Sequence, residues 1–246
     1  MRNYIKILFA IYFGFSVMIC FLLLYPLFLI TLSTPKLYRQ AHSLRKFWGW
    51  WLFITGFIRI KQIKEQPINK DLAYVITPNH TSKLDIVSLT IKIPLYFNFM
   101  AKIELARVPV FGIFFRTIDI AVDRKNARHA AKAYQKAKDQ LTYYKQSIVI
   151  FPEGTIPSNT PKLNKFKDGA FKMAIESQTP ILPVTIINNW NILPDQGKFH
   201  FFPGKCIQYI HTPIPTIGLT ENDIPALKEK VFNLIQNKLA EYGYFE

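Results

Sequence analysis

"LAYVITPNHTSKLDIVSLTI", Leu72–Ile91, passes from an apolar, β-branched run through Pro78 and a polar turn into a segment of helical character. Strand, loop and helix in that order are the first part of a βαβ unit, and the chain after Gln66 repeats the theme. Leu72–Thr77, Tyr96–Ala101, Ile118–Val122, Ser147–Phe151 and Ile181–Ile187 are short β-branched or aromatic runs bounded by turn residues, each expected to be a buried strand. Between them Ala130, Ala133, Ala137 and Leu141 recur at helical spacing within Ala127–Tyr144, and Asp168–Ser177 and Glu221–Tyr242 carry helical patterns too. This alternation predicts an α/β fold, a mostly parallel sheet flanked by helices, with functional groups in loops that leave the carboxyl ends of strands.

Upstream the texture differs. Ile7–Leu32 carries no charge, and its helix would be roughly 39 Å long, against a hydrocarbon core of about 30 Å. It is too long for the apolar core of a cleaved signal, and no small-x-small site follows. An N-terminal membrane-embedded helical segment is expected. It is either one span or, if Pro26 breaks the run and Trp-rich Phe47–Phe57 lies at the interface, a hairpin in one leaflet. From Met1 to Lys64 there is no acidic residue, whereas Arg2, Lys6, Lys36, Arg39, Arg45, Lys46, Arg59, Lys61 and Lys64 are basic, which suits an anionic bilayer surface. Lys36, Arg39, Arg45 and Lys46 outnumber Arg2 and Lys6, so the remainder is expected on the cytoplasmic face of the inner or plasma membrane. A segment that is apolar first and basic at its margins argues against nucleic acid as the partner of this +15 chain. The expected division is an anchor with basic interfacial helices over 1–64 and an α/β domain over 65–246. Cys20 and Cys206, far apart, imply neither a disulfide framework nor a thiolate metal site. His42, His80, His129, His200 and His211 contain no pair at ligand spacing, so no metal is expected; His42 reads as interfacial and the last three as surface or packing residues.

Within the opening stretch, His80 and Asp85 stand five positions apart. On one continuous helix they would point about 140° away from each other, so they meet only if His80 lies in the loop. Asp85 would then receive the imidazole Nδ1–H and leave Nε2 free as a base. The competing reading is structural, because Ser82 and Asp85 fit a helix capping box. "FPEGT", Phe151–Thr155, leaves a strand and is expected to expose the Glu153 carboxylate and backbone N–H groups at the same sheet edge; a plain turn would look alike. Lys102 and Arg124 are cations suited to a phosphate, although a lone surface cation is more often only solvated.

Taken in order, four blocks resemble the 1-acyl-sn-glycerol-3-phosphate acyltransferase family of glycerolipid acyltransferases. They are Asn79, His80, Ser82 and Asp85; Lys102, Glu104, Leu105, Pro109 and Gly112 with Asp123 and Arg124; "FPEGT"; and "ILPVTI" around Pro183. The resemblance runs from about Leu72 to Ile187 and implies transfer of an acyl group from an acyl carrier protein or coenzyme A thioester to the sn-2 hydroxyl of lysophosphatidic acid, giving phosphatidic acid. It implies His80 as base with Asp85 orienting it, Lys102 and Arg124 holding the phosphate, and Glu153, Gly154 and Thr155 shaping the glycerol site. No cofactor beyond the thioester co-substrate is implied.

Two positions depart from the family pattern. Ile156 and Pro157 follow "FPEGT" where many members have Arg, so Lys162, Lys165 or Lys167 is expected to supply the missing cation. Ile118 stands where many members carry Gly before the Asp-Arg pair. The same machinery would also serve an acyltransferase acting on another lysophospholipid or lyso-aminolipid. A membrane-anchored lipid-binding protein without catalysis is the alternative of a different class.

Overall fold

The computed structural model describes residues 2–108, 112–195 and 201–244. Seven strands form one sheet: β1 (Ile58–Lys64), β2 (Val75–Pro78), β3 (Phe97–Lys102), β4 (Ile120–Val122), β5 (Ser147–Val149), β6 (Ile181–Ile186) and β7 (Gly204–Ile210). Their spatial order is β1-β7-β6-β2-β5-β3-β4, and every neighbouring pair is parallel except β6 with β7. Adjacent residues in the central strands serve opposite cores: Val75, Ile148 and Ile181 face one side, Ile76, Val149 and Leu182 the other. Both faces are thus covered, and these strands read as continuous apolar runs without polar alternation.

One face is packed by α5 (Ala127–Thr142), α6 (Gly169–Glu176) and α8 (Ile224–Ala240), through Ala133, Ala137, Met173, Val231 and Ile235 among others. The other carries α3 (Leu84–Lys92) and the two N-terminal helices, α1 (Arg2–Leu32) and α2 (Tyr38–Thr55). The short α4 (Gly112–Phe115) and α7 (Asn189–Ile192) complete the helical elements. All five strands expected from the sequence are present, three of them trimmed and β2 and β3 ending one residue later than expected, and the expected helices match α3, α5, α6 and α8.

β1 and β7 were not anticipated. Ile58–Lys64, assigned on its basic composition to the N-terminal segment, is an edge strand in register with Gly204–Ile210. Its alternation of Ile with Arg, Lys and Gln is that of an edge exposed along one face.

Pro26 does not break α1. The helix is held from outside its own hydrogen-bond ladder: Trp48 Nε1–H donates to the Val17 carbonyl (3.2 Å) and Trp51 Nε1–H to Ser16 Oγ (3.0 Å). α1 also packs on residues beyond α2 at two places along its length. Phe13 stacks on Phe201 with ring centroids 3.9 Å apart, while Phe28 meets Phe114 edge-on at 5.1 Å. The opposite side of the helix leaves Ile11, Phe15, Leu22, Leu23 and Ile30 exposed, and α2 exposes Phe47, Trp50, Trp51 and Ile54. By length and composition Ile7–Leu32 is sufficient to cross a membrane.

Arg45, expected to face lipid, is instead buried. It grips Asp119 through Nη1 at 2.9 and 3.1 Å, donates to the Phe97 carbonyl from Nη2 at 3.2 Å, and lies over the rings of Phe99 and Phe114. Asp119 Oδ1 accepts the Phe99 N–H in turn (2.9 Å). His42, expected at the interface, is buried beside it, with Nδ1 3.1 Å from Arg45 Nη2 and its ring edge-on to Tyr96 and Phe97. Desolvation and the Arg45 charge push the imidazole pKa down to about 2, so this histidine is neutral. Removing one partner of a buried pair leaves the other charge uncompensated. Arg45→Ala is expected to destabilise the protein by about 3–5 kcal/mol, read as a lowered denaturation midpoint in detergent.

Candidate active site

Parallel strands deliver their carboxyl ends to one edge of the sheet. β2 leads to His80, β3 ends at Lys102, β4 is followed by Arg124, and β5 runs into Phe151–Thr155. β2 and β5 are neighbours whose connections leave toward opposite sides of the sheet, where a crevice forms. A cavity of about 540 Å³ occupies it, lined by His80, Lys102, Arg124, Gly154, Thr155 and Lys167. Its inner wall is apolar, with Met100, Val122, Ile150 and Met173.

His80 lies in the loop before α3, and its Nδ1 is 2.9 Å from Asp85 Oδ2. The ring stacks on Phe151 with centroids 3.9 Å apart and is 15% exposed, so it can turn little and still reach the cavity. Asp85 has no exposed surface. Its Oδ2 also accepts the N–H groups of Thr81 (2.6 Å) and Ser82 (2.9 Å), and its Oδ1 accepts Thr81 Oγ1–H (3.2 Å) and Asn189 Nδ2–H (2.8 Å). One carboxylate thus binds both the backbone N–H groups of the turn before α3 and the imidazole Nδ1. Ser82 Oγ accepts the Leu84 N–H at 3.1 Å and donates to the Leu193 carbonyl at 2.6 Å. Asn79, on the other side of His80, is bound in both directions to the backbone of Ile186 (3.0 and 2.7 Å), fixing the loop to β6.

Glu153 is not displayed in the cavity. It is 2% exposed and accepts the His80 N–H at Oε1 and the Asn164 N–H at Oε2, both at 2.8 Å. It joins the His80 loop to the segment after "FPEGT". The cation-rich side of the cavity forms around Gly154, whose φ of +75° lies in the left-handed region. Arg124 Nη1–H donates to its carbonyl (3.0 Å), and a Cβ there would sit 3.0 Å from Arg124 Nη1 and 3.2 Å from Lys167 Nζ. The glycine thus leaves room for two cations to approach one loop. Of the three lysines expected to replace the family's Arg, Lys167 lines the cavity; Lys162 and Lys165 are exposed and do not. Pro109 of the second block and His200 lie outside the described residues. Asn189 and Lys167 complete the constellation. Lys167 was one of three equal choices in the sequence, whereas Asn189 follows the Pro183 strand with no recognisable spacing to Asp85.

A family model described as Acyltransferase matches residues 59–187, which takes in β1 through β6 and every residue above that lines the cavity. The chain belongs to the acyltransferase family. An uncharacterized acyltransferase of Schizosaccharomyces pombe is 31% identical over 82% of this chain and 72% of its own length. The 1-acyl-sn-glycerol-3-phosphate acyltransferase alpha of Homo sapiens is 31% identical over 64% of this chain, and the match spans 56% of that protein. The crystal structure of the 1-acyl-sn-glycerophosphate (LPA) acyltransferase PlsC from Thermotoga maritima superposes with a TM-score of 0.82 at 23% identity, covering 100% of this chain and 99% of that one, which establishes a shared fold.

The acyltransferase places one acid where its charge depends on pH. Burial, with a smaller push from the Asp85 carboxylate, raises the Glu153 pKa from 4.5 to about 7, against the lowering effect of its two N–H partners. An acid that holds its proton more tightly when folded stabilises the fold below its unfolded pKa and loses that contribution as pH rises through its folded one. Between about pH 4.5 and about pH 7 the loss is on the order of 3 kcal/mol. Denaturant unfolding across that interval should show stability falling with pH in the native protein, and a flatter profile in Glu153→Gln.

Proposed function

We propose that this acyltransferase moves an acyl group from a thioester to the sn-2 hydroxyl of lysophosphatidic acid. The observation that carries the reading is a histidine bonded to a buried carboxylate in one cavity with Lys102, Arg124 and Lys167; a fourth cation there, Lys83, is paired with Asp195. With Nδ1 bonded to Asp85, Nε2 is the ring nitrogen left for substrate. It takes the hydroxyl proton as the oxygen attacks the thioester carbonyl; the tetrahedral intermediate collapses with loss of the C–S bond, and the imidazolium returns the proton to the leaving thiolate. A positioned general base is worth about 10²–10⁴-fold for such a weak nucleophile. The thioester is already activated, so no enzyme-bound acyl intermediate is required. Lys102, Arg124 and Lys167 neutralise the acceptor's phosphate through charge-assisted hydrogen bonds. The apolar wall of Met100, Val122, Ile150 and Met173 receives hydrocarbon.

Attachment to the bilayer in this reading uses the exposed apolar sides of α1 and α2, with the basic residues between them at the anionic surface. The contacts of α1 with the rest of the protein at Phe13 and at Phe28 support a helix that lies along the protein within one leaflet, the monotopic arrangement, on the cytoplasmic face. The donor is an acyl carrier protein or coenzyme A thioester, both anionic and both attracted by a +15 chain.

Purified protein in mixed micelles, given labelled acyl thioester and lysophosphatidic acid, should form phosphatidic acid. His80→Ala should lower kcat about 10²-fold or more while leaving the fold intact. Lys167→Ala should raise the apparent KM for the acceptor, whereas Lys162→Ala and Lys165→Ala should not. Activity confined to a different lysolipid would keep the base and replace the acceptor. Silence with every donor and acceptor would leave lipid binding without catalysis.

A further inference from the structure

Asp85 receives most of its hydrogen bonds from its own loop: the donors of His80, Thr81 and Ser82 all lie within five residues of it. Asn189 differs. It comes from α7, beyond the sixth strand, and is the donor that ties Asp85 Oδ1 to a separate part of the fold. Its amide is held as well. Nδ2 lies 3.1 Å from Ser88 Oγ, Ser88 Oγ–H donates to the Asp85 carbonyl (3.0 Å), and Gln208 Nε2–H donates to Ser88 Oγ (2.8 Å). Gln62 on β1 reaches Gln208 Oε1 at 3.3 Å. Asn189, Ser88 and Gln208 have no exposed surface, and the neighbouring side chains include Ile192, Leu84 and Cys206, an apolar cluster. Polar side chains buried there are costly unless satisfied; these form one connected line from the sheet edge to the His80 loop, with Asn189 Oδ1 the one atom of the line left without a hydrogen bond.

We propose that Asn189 is a positioning residue for the base, holding Asp85 Oδ1 so that Oδ2 stays aligned with His80 Nδ1, with Ser88 and Gln208 setting the Asn189 amide. The proposal rests on the reading of His80 as base and extends it to a third side chain, from a part of the chain outside the His80 loop. The loop donors bind mainly Oδ2, and Thr81 Oγ1 at 3.2 Å is the other contact to Oδ1. Without Asn189 the carboxylate can therefore rotate about its own axis while keeping its place. An amide suits the role because it donates without titrating, and so does not compete with the imidazole for a proton.

The test compares native protein with Asn189→Leu, Asn189→Asp and His80→Ala, each checked for folding by its thermal transition, using acyl thioester and lysophosphatidic acid. Asn189→Leu is expected to lower kcat about 10- to 100-fold, the scale of one hydrogen bond to a charged group, with KM for the acceptor little changed. Asn189→Asp supplies a donor only while protonated, so its kcat should fall with rising pH over a range where native activity rises. The other titratable groups facing Asp85 are His80 and Glu153 from the catalytic loops and Cys206 from β7, and these are common to native protein and variants. A folded Asn189→Leu with native kcat and pH profile overturns the proposal. So does a kcat loss that merely follows the fraction folded, equal in both Asn189 variants at every pH. If His80→Ala retains activity, it is the base assignment that fails, a result separate from either Asn189 outcome.

Discussion

A parallel sheet buried on both faces leaves few places for reactive side chains to meet a substrate. Along the central strands successive residues are taken by one core and then the other, as Val75 and Ile76 illustrate. Chemistry is confined to the carboxyl ends, where backbone turns away from the sheet and polar groups can be satisfied by loops. His80, Arg124 and Gly154 follow three of the strands and Lys102 ends a fourth for that reason, and they share a cavity because four neighbouring parallel strands end at one edge.

Precision within that edge comes from two buried carboxylates with different tasks. Asp85 gathers five donors and transmits their fixed positions to the imidazole. Glu153 binds the backbone behind the same histidine. One therefore aims the ring and the other locates the loop that carries it. Phe151, which immediately precedes the Glu153 turn, closes the arrangement by stacking on the ring.

Most of this was legible in the sequence, for reasons that can be named. The runs of β2, β5 and β6 are largely apolar, and that of β3 is interrupted by one buried polar residue, Asn98, because both faces are buried, which is the pattern a parallel sheet imposes. Helix geometry allowed His80 to meet Asp85 only from the loop before α3, which is where the histidine lies. β1 escaped because an edge strand written Ile-Arg-Ile-Lys-Gln-Ile-Lys shares its composition with a membrane-facing basic segment, and β7 because the residues that pair with it lie far off in sequence. The burial of Glu153 and of Arg45 was out of reach for a related reason. A charged side chain is buried only when its partners arrive from elsewhere, and Asn164, Asp119 and the Phe97 carbonyl are tertiary facts. Asn189 carried no signal at all, since nothing in "NNW" points to a residue a hundred positions upstream.

The two attachments of α1, at Phe13 and at Phe28, bear on how the molecule can be handled and how it can move. A tether joined at one end lets its cargo swing; a beam fastened at two points does not. Cutting the chain at residue 64 to obtain a detergent-free fragment would remove β1 from the sheet and uncover Phe114, Ile118, Phe201 and Cys206, which α1 and α2 cover. α1 and α2 are walls of the core, so solubility cannot be had by amputation, and the orientation of α1 relative to the cavity mouth is set by packing inside the protein.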